Sequence, residues 1–210
     1  VVVCVILFAG IAVGHAATGE QALGTPPAAF TAYKPDDGFA LPEIVLQYDP
    51  ATKTGANWAE VNKPKWHEST PPVLIGRAAN FLREGLRRMT GKEFPVVSKA
   101  DLSAGIVLTL LKNAPDAIRG DSEVVAALAA DPKDQYAANE AFFIRSEPTR
   151  LLVVANTPDG LLGAVVELLE AVDYEILGFG PDWIYAPDYR TRPLTFAVKR
   201  SGRPSYYIRS

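Results

Sequence analysis

Apolar positions along this chain recur with two periods, and the points where the period changes mark the elements. Ile75, Ala78, Ala79, Leu82, Leu86 and Met89 fall at steps of three and four, which gathers them on one helical stripe. Arg77, Arg83, Glu84, Arg87 and Arg88 take the other faces. Pro71-Pro72 stand where a helix start has no use for the missing N–H groups, and Gly91 stands where a left-handed cap is favoured. A helix is expected between them. A second helix is expected after the Pro158-Asp159-Gly160 turn, with Leu161, Leu162, Val165, Leu168, Leu169 and Val172 on a broad apolar face.

The strands read by a different logic. "IVLQY" at 44–48 is stopped by Asp49-Pro50, and "FPVVS" follows the first helix. "GIVLTLL" from Gly105 to Leu111 is continuous and rich in β-branched residues, as expected of a central strand covered on both faces. "EAFFIRSEPTRLLVVAN" gives two strands around Glu147-Pro148-Thr149, a hairpin. Lys112 to Glu140 reads as an insertion carrying one helix from Ser122 to Ala130, with Val124, Val125 and Leu128 turned inward. Short strands near Tyr174–Leu177, Trp183–Tyr185 and Leu194–Val198 complete the series.

This order predicts an α/β (α+β) sandwich, a mixed β-sheet with two main helices packed on one side. A doubly wound sheet needs regular alternation of strand and helix, and the hairpin breaks it. Thr18 to Ala40, rich in Ala, Gly, Pro and Thr, shows no apolar period and reads as a linker. Asn57 to Pro72 mixes prolines with Trp58 and Trp66 and reads as irregular.

Composition narrows the picture. The chain has 210 residues, 48% hydrophobic and 21% charged, enough for one well-packed domain with flanking pieces. A net charge of −3 gives no electrostatic footprint for nucleic acid, so no nucleic-acid partner is expected. Val1 to Val13 is an uncharged apolar run, short of the roughly 20 residues that span a bilayer. With the small residues of Gly14-His15-Ala16-Ala17 it reads as an N-terminally incomplete secretory signal peptide over 1–17. The alternative is a buried N-terminal element. A signal peptide implies a secreted or periplasmic protein, without membrane association once it is cleaved. Cys4, the one cysteine, lies inside that segment, which leaves the mature chain no disulfide and no thiol nucleophile.

Strand, glycine turn and helix at Leu151–Trp183 is also the layout that cradles phosphate. The residues do not follow it through. Gly160 and Gly163 are the glycines of "NTPDGLLG", no Lys follows them, and Leu161 and Leu162 offer packing surface. Asn156 or Thr157 can cap the helix, and Asp159 balances its positive end. His67-Glu68 is half of an H-E-x-x-H zinc signature, but position 71 is proline. Glu167 and Glu170 lie three apart on the second helix, a spacing that suits paired carboxylates in glycoside hydrolysis and equally suits two solvent-facing charges. Asp36-Asp37 lies in the linker. No G-x-S-x-G occurs. No catalytic, cofactor-binding or metal-ligating residue is assigned, and no cofactor is expected. The aromatics Trp58, Trp66, Trp183 and Tyr185, with Tyr189, Tyr206 and Tyr207, are candidates for sugar stacking or interdomain contact.

Several of these stretches together resemble a known accessory domain: "LREGLRRMTGKEFPVV", "GIVLTLL", "EAFFIRSEPTRLLVVANTPDGLLGAVVELLEAVDYEILGFGPDWIYAP" and "RPSYYIRS". The pattern is similar to the N-terminal domain of secreted bacterial α-glucuronidases and, in a related form, of β-N-acetylhexosaminidases. It covers roughly Leu41 to Arg209. Leu162-Gly163 departs from the family's aromatic-Gly pair, and 173–177 departs from its G-x-R-W-F strand. The resemblance implies a zinc-protease-like (zincin-like) α/β fold without its metal centre, over 41–200. It implies a role as non-catalytic accessory domain of a glycoside hydrolase, with 201–210 leading into a downstream catalytic TIM barrel as its partner. The alternative is a free-standing carbohydrate-binding or interaction module that meets polysaccharide or another partner through its loop aromatics.

Overall fold

The computed structural model describes residues 27–47, 71–129, 138–178 and 181–203. Its centre is a six-stranded mixed sheet built from β2 (Ile44–Gln47), β3 (Val96–Lys99), β4 (Gly105–Leu110), β5 (Phe142–Ser146), β6 (Arg150–Ala155) and β10 (Lys199–Gly202), in the order β10-β5-β6-β4-β2-β3. β3, β2, β4 and β6 are parallel neighbours, and β5 pairs antiparallel with both β6 and β10. The β5–β6 hairpin turns at Glu147, whose N–H donates to the Arg150 carbonyl at 2.8 Å.

Strand alternation divides the apolar residues into two cores. Ile44, Leu46, Ile106, Leu108, Leu110, Leu151 and Val153 point to one face, where they meet α1 (Pro71–Thr90) and α4 (Pro158–Glu170). Val45, Val107, Leu152, Val154 and Phe143 point to the other, where they meet Ala114, Ile118, Val124 and Leu128. These last residues come from or beside two short helices, α2 (Asp116–Arg119) and α3 (Ser122–Leu128). All six residues of β4 are buried, as the continuous apolar run requires. The two main helices thus share one side of the sheet as expected. The stretch read as an insertion is the cover of the opposite side.

Both main helices begin and end where their sequences direct. In α1 the apolar stripe is fully buried from Ala78 to Met89, and Gly91 closes the helix at φ 70° with its N–H on the Arg87 carbonyl. In α4 the Thr157 hydroxyl caps the Gly160 amide at 3.2 Å, and Pro158 occupies the first turn.

Three expectations need correction. Val125 is 47% exposed, whereas Val124 and Leu128 are buried. Positions 124 and 128 share a helical face and 125 lies about 100° away, so a seven-residue helix on a flat sheet buries only the first pair. The stretch read as a linker contains β1 (Phe30–Tyr33), which pairs antiparallel with β9 (Leu194–Phe196) and buries Phe30, Ala32 and Tyr33. Four residues of alternation between Pro- and Gly-rich flanks are too few to show a period. β10 was not expected at all. Its residues, Lys-Arg-Ser-Gly, look like loop, and it extends the sheet to Gly202, past the boundary drawn at 200.

After α4 the chain forms a small antiparallel ribbon from β7 (Glu175–Ile176) and β8 (Ile184–Tyr185), with a 3-10 turn at Pro181–Trp183 leading into β8. No helix among the described residues is long and apolar enough to cross a membrane.

Candidate functional site

The start of α4 is where a phosphate-binding loop would sit, and this chain's own atoms occupy it. The Asn156 side-chain amide donates to the Leu128 and Ala138 carbonyls at 2.9 and 2.7 Å. Thr157 donates its hydroxyl to the Asn139 carbonyl while accepting from Gly160. A Cβ at Gly160 would lie 3.0 Å from the Glu140 carbonyl oxygen. The glycine there allows helix and loop to approach closely, and its amide is spent on the cap. This element is structural.

The second cluster is ionic and sits on the α3 side of β5. Arg145 alternates with Phe143 onto that face and stacks over its ring, 5.5 Å from the centroid. Its guanidinium meets Asp121 at 2.9 Å, Glu123 at 3.1 Å and Glu147 at 2.9 Å. Arg150 holds Glu147 at 2.6 Å, and Lys199 of β10 holds Glu123. Burial would raise the carboxyl of Asp121, but the Arg145 guanidinium and the amides of Val124 and Glu123 outweigh it and hold it below its ordinary range. Burial is likewise overcome at Glu147 by hydrogen bonds from Arg150 and Arg145, and Glu123 is held low chiefly by Lys199. Pro27, Ala28, Ser146 and members of this network line an open depression of about 340 Å³. Three carboxylates face three cations there, so the charges satisfy one another. The network ties β10 and α3 to β5.

The third site is the β7–β8 ribbon. Ile176 is 42% exposed, Leu177 64%, Trp183 57% and Tyr185 55%. Among the described residues, the only other exposed large hydrophobic is Val125. Among the described residues, exposed large apolar side chains are therefore concentrated in one short stretch of chain. Two contacts anchor the ribbon: Leu177 N–H donates to the Trp183 carbonyl at 2.7 Å, and Ile184 packs on the main core. The Trp183 ring leans on Gly178, where a Cβ would lie 3.2 Å from Cδ2. Across the ribbon Tyr185 stands opposite Glu175.

Of the seven aromatics singled out from sequence, Trp183 and Tyr185 thus share one exposed ribbon. Trp58, Trp66, Tyr206 and Tyr207, with His67, lie outside the described residues. Tyr189 is half-buried, with its N–H on the Met89 carbonyl and Arg192 stacked 4.2 Å from its ring centroid. Glu167 pairs with Arg200 at 3.4 Å. Glu170 is raised by burial first, then by the nearby charges of Glu167 and Glu175, against the pull of Arg200. Asp36 closes a turn, its carboxylate accepting from the Gly38 amide. Ile176 and Leu177 join Trp183 and Tyr185 on the ribbon, at positions that the sequence predicts as ordinary strand. Their one local signal is an apolar pair between Glu175 and Gly178, too short to bury a face.

No family model matches the sequence, and no curated protein matches it. Among solved structures, the chain is similar to a family GH115 4-O-methyl-α-glucuronidase, BtGH115A, described as specific for decorated arabinogalactans. That match has 12% identity and a TM-score of 0.46, over 76% of this chain and 17% of the other. It is similar to a family GH138 enzyme described as targeting pectin rhamnogalacturonan II, with 14% identity and a TM-score of 0.31 over 73% and 15%. A mutant Streptomyces plicatus β-hexosaminidase in complex with GlcNAc gives 20% identity and a TM-score of 0.33 over 78% and 23%. All three are glycoside hydrolase chains, and this chain matches less than a quarter of the length of each.

Proposed function

We propose that this chain is a non-catalytic accessory domain of a secreted carbohydrate-active enzyme, one that packs against a catalytic barrel and orients it. The supporting observation is the distribution of exposed apolar surface. A sandwich whose sheet is covered on both faces keeps Ile176, Leu177, Trp183 and Tyr185 in water on one ribbon. Concentrated apolar surface of this kind marks an interface. The sequence resemblance to the N-terminal domains of α-glucuronidases and β-N-acetylhexosaminidases supports the enzyme class. Under this reading the ion-pair network and the capped start of α4 hold the domain's shape.

The test is an activity assay on aryl-glucuronide and aryl-hexosaminide substrates. The 210-residue chain is expected to be inactive. The longer protein encoded by the same gene is expected to be active, and to lose activity or solubility when this domain is deleted. Turnover by the 210-residue chain itself would overturn the reading.

A further inference from the structure

The ribbon's surroundings identify the chemistry of what it meets. Residues 170–188 carry Glu170, Asp173, Glu175, Asp182 and Asp188, and no Lys or Arg. Asp173, Glu175 and Asp182 are exposed and interleave along the chain with the four apolar side chains. Glu175 stands directly across from Tyr185, and its charge reaches Glu170. The ribbon is thus an apolar centre with an acidic rim. A second copy of this chain fits it poorly, because a two-fold contact would set these carboxylates against their own counterparts. A sugar chain also fits poorly. Two of the four exposed side chains, Ile176 and Leu177, are aliphatic, and sugar stacking uses flat rings. Aliphatic and aromatic side chains mixed at one centre, with charge at the rim, is the composition of a protein–protein contact.

Resting on the accessory-domain reading, we propose that Ile176, Leu177, Trp183 and Tyr185 are the docking face for a neighbouring domain of the same protein, whose matching surface has an apolar centre and a rim of Lys or Arg opposite Glu170, Glu175 and Asp182. Within the isolated chain burial raises the Glu170 carboxyl first, and repulsion from Glu167 and Glu175 adds to it against the pull of Arg200. A cation from the partner would relieve that repulsion.

Hydroxyl-radical footprinting of the 210-residue chain and of the longer encoded protein tests this. Labelling of Trp183 and Tyr185 is expected to fall about tenfold in the longer protein, as for any side chain released only by local opening. Glu175→Lys in the longer protein is expected to restore much of the labelling, and Glu175→Gln less; circular dichroism should show both variants folded. Undiminished labelling in a longer protein whose activity still needs this domain would overturn the docking face and leave the accessory role intact. Protection of the isolated chain by a neutral oligosaccharide, or protection that grows with its concentration, would also overturn it, in favour of a glycan platform or a self-contact. A longer protein without a glycan-cleaving domain would instead remove the accessory role, and ribbon labelling in it would still decide the docking face.

Discussion

Strand β4 and the β7–β8 ribbon are both built from large apolar side chains, and they meet opposite fates. β4 lies between two parallel neighbours with helices over both faces, and Ile106, Val107 and Leu108 have no solvent exposure. The ribbon has two residues in each strand and is covered on one side only, where Ile184 reaches the core. Local sequence does not separate the two cases, since Ile-Leu and Ile-Tyr suit a strand as well as Ile-Val-Leu does. What separates them is the number of neighbours that the topology supplies. Among the described residues, α2 and α3 give the central strands a second cover, and no element covers the outer side of the ribbon. Under the docking proposal, the apolar character of the ribbon serves a partner.

The widest separation between the two regions comes from truncating one leucine in each. Leu108→Ala removes side-chain contacts at a site with no room to collapse and is expected to cost about 2–5 kcal/mol. Leu177→Ala is expected to change stability by no more than about 0.5 kcal/mol. Urea denaturation of the two variants measures both. A cost at Leu177 comparable to that at Leu108 would mean the ribbon is part of the core after all.

Arg145 comes next, and it asks whether a charged edge behaves like core. Arg145→Ala leaves Asp121 without its guanidinium and strips one partner each from Glu123 and Glu147, in a site about one-fifth exposed. A loss of about 1.5–3 kcal/mol is expected, the range for hydrogen bonds to charged groups. The same network sets an acid limit. Asp121, Glu123 and Glu147 all have folded values below their ordinary range, so their contribution is complete above the ordinary carboxylate range, about pH 4–4.5, and is lost as pH falls through the lowered values. The denaturation midpoint is expected to drop steeply below that range in the parent chain and less steeply in Arg145→Ala. Gly160→Ala is a milder test, expected to cost about 1–3 kcal/mol because the new Cβ meets the fixed carbonyl of Glu140.

Periodicity carried most of the fold. The helical stripe of α1, the buried run of β4 and the hairpin at Glu147-Pro148-Thr149 were each legible, because each spans enough residues to show its period or its turn chemistry. β1 and β10 were not, for different reasons. β1 has a four-residue alternation inside Pro- and Gly-rich flanks, and β10 has no apolar pattern because it is an edge strand held by backbone pairing and by Lys199. At the site, Trp183 and Tyr185 were legible as residue types. That they share a ribbon with Ile176 and Leu177 depends on pairing between β7 and β8, which a one-dimensional pattern does not encode. The ion-pair network was equally hidden. Its members come from α3, β5, β6 and β10, and the alternation of Phe143 with Arg145 was its one local sign.

The smallest expected effect is the sharpest about the ribbon's purpose. Glu170 is the one described carboxylate whose folded value is raised, through burial and the charges of Glu167 and Glu175. The sign is opposite to that of the Arg145 network: the protonated form is favoured by folding, so Glu170 contributes stability at low pH and loses it as pH rises through the raised value. Glu170→Gln removes that penalty, and the isolated chain should gain about 0.2–0.5 kcal/mol at neutral pH, a modest figure because the group is largely solvated. At acid pH, where the parent side chain is already neutral, the gain should vanish. In the longer protein the same substitution should act the other way and loosen the domain contact, since the carboxylate would there meet a cation. A residue that costs the isolated fold and helps the assembly is one retained for its partner. Should Glu170→Gln stabilise the chain and the longer protein alike, the acidic rim has no partner, and the contrast between β4 and the ribbon reduces to one of burial alone.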